Sequence, residues 1–133
     1  MKKKYLSNII ANDNEGLQMV SACCAGAELK VADIKYLKKN KVFLISLLRN
    51  KIEAVYDDKK VHSICKFEFV DNVKSKNIKQ NEPDQKLQLI AIDYLKNKNN
   101  YEINLIFKNN AHIALTTETI EVRLEDQNEI EDQ

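Results

Sequence analysis

Apolar residues recur along this chain with two periods, and the change from one to the other divides it. After a short apolar run, Tyr5 to Ile10, the polar stretch NDNEG supplies helix-start chemistry. Asn12 is the expected N-cap, with Glu15 three residues on completing a capping-box pattern. Leu17, Val20, Cys24 and Ala27 then follow at helical spacing, which predicts one amphipathic helix from about Asn14 to Ala25. Gly26 is placed to end it.

Beyond Gly26 the period falls to two. Leu29, Val31 and Asp33 alternate with Lys30, Ala32 and Ile34, up to a polar turn at Lys38 to Lys41. VFLISLL, Val42 to Leu48, is apolar on both faces and reads as a central strand. A turn at Asp57 to Lys60 leads into Val61 to Val70, where Val61, Ser63, Cys65, Phe67 and Phe69 share one face. Lys74 to Lys86 holds the single proline and is expected to be a long, mobile loop. Strands follow at Leu87 to Leu95, Tyr101 to Phe107, Ala111 to Thr116 and Ile120 to Glu125, with Asn109-Asn110 as a tight hairpin turn. About eight strands and one helix joined by short turns predict an α+β domain: a largely antiparallel sheet with the helix on one face. An open sheet and a barrel fit this pattern equally. The domain is expected to span residues 1–126, with 127–133 as an acidic, disordered tail.

Composition fits that picture. At 133 residues, 44% apolar and 31% charged, the chain suits one domain with its own core. No apolar run approaches the roughly 18–20 residues that span a bilayer, and the basic N-terminus is not followed by a signal-peptide apolar stretch. A cytoplasmic location is the expectation. The net charge of +1 conceals a tail carrying five acidic residues after Leu124, so that the preceding residues hold 21 basic against 15 acidic groups. That mild excess is far from the cationic surface of a dedicated nucleic-acid binder.

Candidate chemistry is sparse. Cys23 and Cys24 in SACCAGAEL lie about 100° apart around a helix, so they cannot face one ligand together. No CxxC spacing exists, and the pair reads as helix wall. His62 and Cys65, three apart in a strand, point to opposite faces. His112 has no acidic neighbour in sequence. Two glycines leave no room for a phosphate-cradling loop. No metal or other cofactor is expected. The lysine clusters at Lys2 to Lys4, Lys38 to Lys41 and Lys74 to Lys79 have no interleaved aromatics for base stacking.

Nineteen of the 21 basic residues are lysine, so Arg49 and Arg123 stand out as positions where a bidentate guanidinium is needed. Arg49 and Glu53 share strand parity. Together with Arg123 and Asp33 they form the expected binding residues.

An ordered set of segments is similar to a bacterial family known as domain of unknown function 2948. It runs from Leu6 to Asp126, through VSA at Val20 to Ala22, KVAD at Lys30 to Asp33 with Tyr36-Leu37, and FLISLLRNKIE at Phe43 to Glu53. It continues through FEFVDNVKSKNI at Phe67 to Ile78 and FKNNAHIALTTETIEVRLED at Phe107 to Asp126. Arg49 and Glu53 match an Asn-Arg-Phe-x-Trp-Glu-like stretch of the family, here LRNKIE without the Asn, Phe and Trp. At the helix end, Ala25-Gly26 stands where the family carries Gln-Asp. The resemblance implies a small soluble protein and no stated activity. The leading expectation is a non-catalytic module that binds a protein partner or self-associates. The alternative is a weak nucleic-acid or phospholigand binder using the lysine-rich turns. A third reading, an enzyme, requires His62 or His112 in a pocket beside a carboxylate.

Overall fold

The computed structural model describes residues 6–51 and 60–129. Strand β1 (Asn8–Ala11) leads into helix α1 (Asn14–Cys24), close to the predicted span. The N-cap is Asp13, not Asn12: its extended backbone lets Oδ1 accept the Gly16 N–H at 2.8 Å. Gly16 fits tightly there, since a Cβ would stand 2.9 Å from Ala11 Cα. Gly26 ends the helix with φ +84°, a conformation costly to residues with a Cβ.

Among the described residues ten strands form one antiparallel sheet, two more than expected, because two predicted runs each split. β2 (Glu28–Lys30) and β3 (Ile34–Leu37) are separated by a 3-10 turn at Val31–Asp33, stapled by Asp33 Oδ2 accepting from Lys30 N at 2.9 Å. β5 (Lys60–Phe67) and β6 (Val70–Lys76) are separated at Glu68-Phe69, where Phe69 takes φ 57°. Phe69 therefore leaves the buried face of Val61, Ser63, Cys65 and Phe67 and stands 42% exposed. The remaining strands are β4 (Val42–Asn50), β7 (Lys86–Lys96), β8 (Tyr101–Phe107), β9 (His112–Thr117) and β10 (Val122–Glu129). β10 thus runs three residues past Asp126.

The order is β1-β10-β5-β4-β2-β7-β8-β9-β6, with β3 also on β4, and the path does not close into a barrel. β4 is central, as its double-sided apolarity implies. Asn109 and Asn110, at φ 64° and 61°, make the expected hairpin turn, with both central residues left-handed. The loop expected at 74–86 shrinks to 77–85, since strands claim both ends. Its backbone is tied down by Lys79 N to Gln85 Oε1 at 2.7 Å and by Gln85 O accepting from Val31 N at 3.0 Å.

The two halves of the sheet enclose Phe43, Phe67, Leu89, Leu105, Ile113 and Leu124, and α1 covers one side through Leu17, Val20 and Cys24. Each such side chain contributes roughly 1.5–3 kcal/mol by leaving water. Cys24 and Cys65 are free thiols inside this core, and Cys23 is buried beside them. Contact with Cys24, together with full burial, holds the Cys65 thiol well above the ordinary thiol range, so it is not poised as a nucleophile. No helix among the described residues is long and apolar enough to cross a membrane.

Candidate functional site

Of the residues expected to form a site, the three that are described, Arg49, Asp33 and Arg123, lie in different places. Arg49 lies on the inward face of β4 and is fully buried. Its Nη2 donates to Asp126 Oδ1 at 2.9 Å and its Nε to Ser63 Oγ at 3.0 Å, while Ser63 Oγ donates to the same Oδ1 at 2.7 Å. Asp126 Oδ2 accepts from Ser7 N at 2.8 Å and lies 3.7 Å from Lys51 Nζ. Arg49 therefore belongs to a buried polar cluster that clamps β4, β5, β10 and the segment entering β1. Asp126, expected at the edge of a solvated tail, is its centre. Arg123 projects from the outer face of β10 and pairs with Glu125 at 3.5 Å, with about half of its side chain exposed. Glu53 lies outside the described residues. Asp33 lines a cavity.

That cavity is built by register on the outer face of the sheet. His62 stands opposite Leu48, Leu48 opposite Glu28, and Glu28 opposite Gln88. Lys108 extends the row through its backbone N–H to Gln88 O at 3.0 Å. A depression of about 480 Å3 is lined by Glu28, Lys30, Asp33, Lys86, Gln88 and Lys108, among others. A recess of about 120 Å3 sharing Glu28, Asp33 and Leu48 adds Ser46 and His62. Lys30 is directly opposite Lys86, an arrangement of like charges that destabilises a strand pair. Among the described residues no ion pair joins Lys30, Lys86 or Lys108 to a carboxylate.

The recess places His62 near two carboxylates, the placement on which an enzymatic reading depends. Among the described residues, however, no hydrogen bond orients the ring toward Ser46, Glu28 or Asp33, so a relay from base to nucleophile is not assembled. His112 is bonded instead to Asn104 Oδ1 at 2.9 Å. No group of three or more His, Cys, Asp or Glu suited to a metal occurs among the described residues.

A second cavity lies where the sheet fails to close. β3 and β6 are edge strands, each paired on one side only among the described residues. Between them runs a slot of about 410 Å3, with Ile34 and Tyr36 on one lip, Val73 and Ile78 on the other, and Phe43 and Ile113 of the core beneath. Tyr36 Oη donates to Val70 O at 3.0 Å and Val70 N to Lys41 O at 2.8 Å, pinning one end. The 77–85 loop closes the other, with Ala32 N donating to Pro83 O at 3.0 Å.

Five exposed lysines stand on or next to the strands that border this slot, although none of them lines it. Lys35, Lys38 and Lys39 flank the β3 lip, and Lys74 and Lys76 lie on β6; all are exposed and none is ion-paired among the described residues. Lys41 differs, bonding to Asp71 at 3.0 Å and Glu118 at 3.3 Å, and both partners raise its pKa above 10.5. Sequence reasoning read Lys38, Lys39, Lys74 and Lys76 as turn or loop residues and did not single out Lys35. It missed the slot because only the strand order reveals which edges stay open.

Comparison with curated proteins and with solved structures gives no match. The family described as "Protein of unknown function (DUF2948)" matches residues 7–132. The match takes in the helix and all ten strands, and the chain belongs to that family.

Proposed function

We propose that this protein is a non-catalytic, cytoplasmic interaction module that captures an extended segment of a partner protein in the slot between β3 and β6. One observation carries the reading: two strand edges, each unpaired among the described residues, face each other across an apolar floor, and five exposed lysines without acidic partners among the described residues stand on or next to those strands. An added strand satisfies edge N–H and C=O groups while its alternate side chains fill the slot. The lysines favour a segment whose outward residues are acidic. The buried free thiols of Cys24 and Cys65 support a reducing compartment. Arg49 serves this function only by holding the sheet, and neither Asp33 nor Arg123 lines the slot.

The test is fluorescence anisotropy with a labelled octapeptide alternating Val and Glu. Binding is expected, weakening as salt screens the lysines and falling about tenfold or more in the Lys35→Glu/Lys74→Glu double variant. A Val–Lys peptide should not bind. Equal binding by a backbone N-methylated peptide would rule out strand addition. Preferential capture of single-stranded RNA would transfer these lysines to the nucleic-acid reading.

A further inference from the structure

We infer that the outer-face depression is a binding site for a small zwitterion, with a carboxylate or phosphate at one end and an ammonium group at the other. It is separate from the slot and does not depend on it. At one end, Lys30, Lys86 and Lys108 line the cavity, the first two in direct opposition across β2 and β7. Such a pair is unfavourable until an anion sits between its members. At the other end, the recess holds Glu28, Asp33, Ser46 and His62 and no lysine. Asp33 Oδ2 already accepts from Lys30 N, which fixes this carboxylate toward the cavity's 3-10 turn.

The two ends do not neutralise one another: neither Glu28 nor Asp33 forms an ion pair with the three lysines among the described residues. A simple anion in this space meets two carboxylates, and a metal cation meets three ammonium groups. A molecule carrying both charges satisfies both ends at once, with charge-assisted hydrogen bonds at each. The volume of about 480 Å3 falls within the range of small-molecule clefts and leaves room for a zwitterion of this kind.

Isothermal titration calorimetry with O-phosphoethanolamine and 4-aminobutyrate tests the inference and separates phosphate from carboxylate ligands. Inorganic phosphate, acetate and ethylamine serve as half-probes. One zwitterion or the other should bind about tenfold tighter than its halves, the factor that about 1.4 kcal/mol supplies. Glu28→Gln should erase that preference while leaving phosphate binding in place, and Lys86→Gln should weaken phosphate and zwitterion alike. Both side chains are exposed, so unchanged thermal unfolding of each variant will show an intact fold. The inference is overturned if phosphate binds as tightly as O-phosphoethanolamine, if Glu28→Gln keeps the preference, or if neither zwitterion binds.

Discussion

Arg49 shows how a residue singled out for its chemistry turns out to be used for architecture. Its guanidinium reaches Ser63 and Asp126 through different nitrogens, which the single ammonium of a lysine cannot reproduce. Once such charges are desolvated, removing one partner leaves the other stranded at a cost of about 3–5 kcal/mol. Asp126→Ala should therefore lower stability by about that much, a fall in Tm on the order of 10–20 °C for a domain of this size, measurable by circular dichroism. Arg49→Lys should cost less, about 1–3 kcal/mol. If Asp126→Ala unfolds within a degree or two of the parent, the cluster does not clamp the sheet. The sequence marked Arg49 because lysine dominates its basic residues. It hid Asp126, which sits among acidic neighbours and finds its partner 77 residues away.

Elements with a complete local signal were legible and those shaped by distant contacts were not. α1, β4 and β8 lie where periodicity put them, because a helical stripe, a doubly apolar run and strict alternation are all local properties. The breaks at Val31–Asp33 and at Glu68-Phe69 have no glycine or proline to announce them. They arise where one strand must leave β4 or pass between the two halves of the sheet. The candidate cavities were illegible for the same reason: the row His62, Leu48, Glu28, Gln88 draws on four strands. Lys41 ties the turn after β3 to Asp71 of β6 and to Glu118, across the open side of the sheet. Because its folded pKa is raised above the ordinary 10.5, this contribution is fully present below pH 10.5 and is lost as pH rises through the higher folded value. Denaturant titrations between pH 9 and 11.5 should show an alkaline loss of stability that Lys41→Met lacks. A Met variant with the parent's pH profile would remove Lys41 from that role.

At the scale of the whole molecule, a sheet that almost closes carries its cost at the seam. A closed barrel has no edges, whereas this one leaves one edge each of β3 and β6 unpaired among the described residues and crosses between its halves through Phe69. An aromatic residue at φ 57° is strained by about 1–2 kcal/mol relative to glycine, and here the ring is also 42% exposed. Phe69 accepts Glu118 N through its carbonyl at 3.2 Å, and it adjoins Val70, whose backbone pins the end of the slot. Strain retained at an exposed aromatic beside an open edge is the pattern of a residue kept for contact instead of stability. Phe69→Gly should then raise stability by about 0.5–1.5 kcal/mol, by relief of the left-handed strain less the packing lost from a half-covered ring. The same variant should weaken capture of the Val–Glu peptide severalfold. Phe69→Asn tolerates the same backbone and should behave alike in both assays. A Gly variant that is less stable than the parent would show that the ring packs for the fold, and the seam would then be a structural joint with no share in binding.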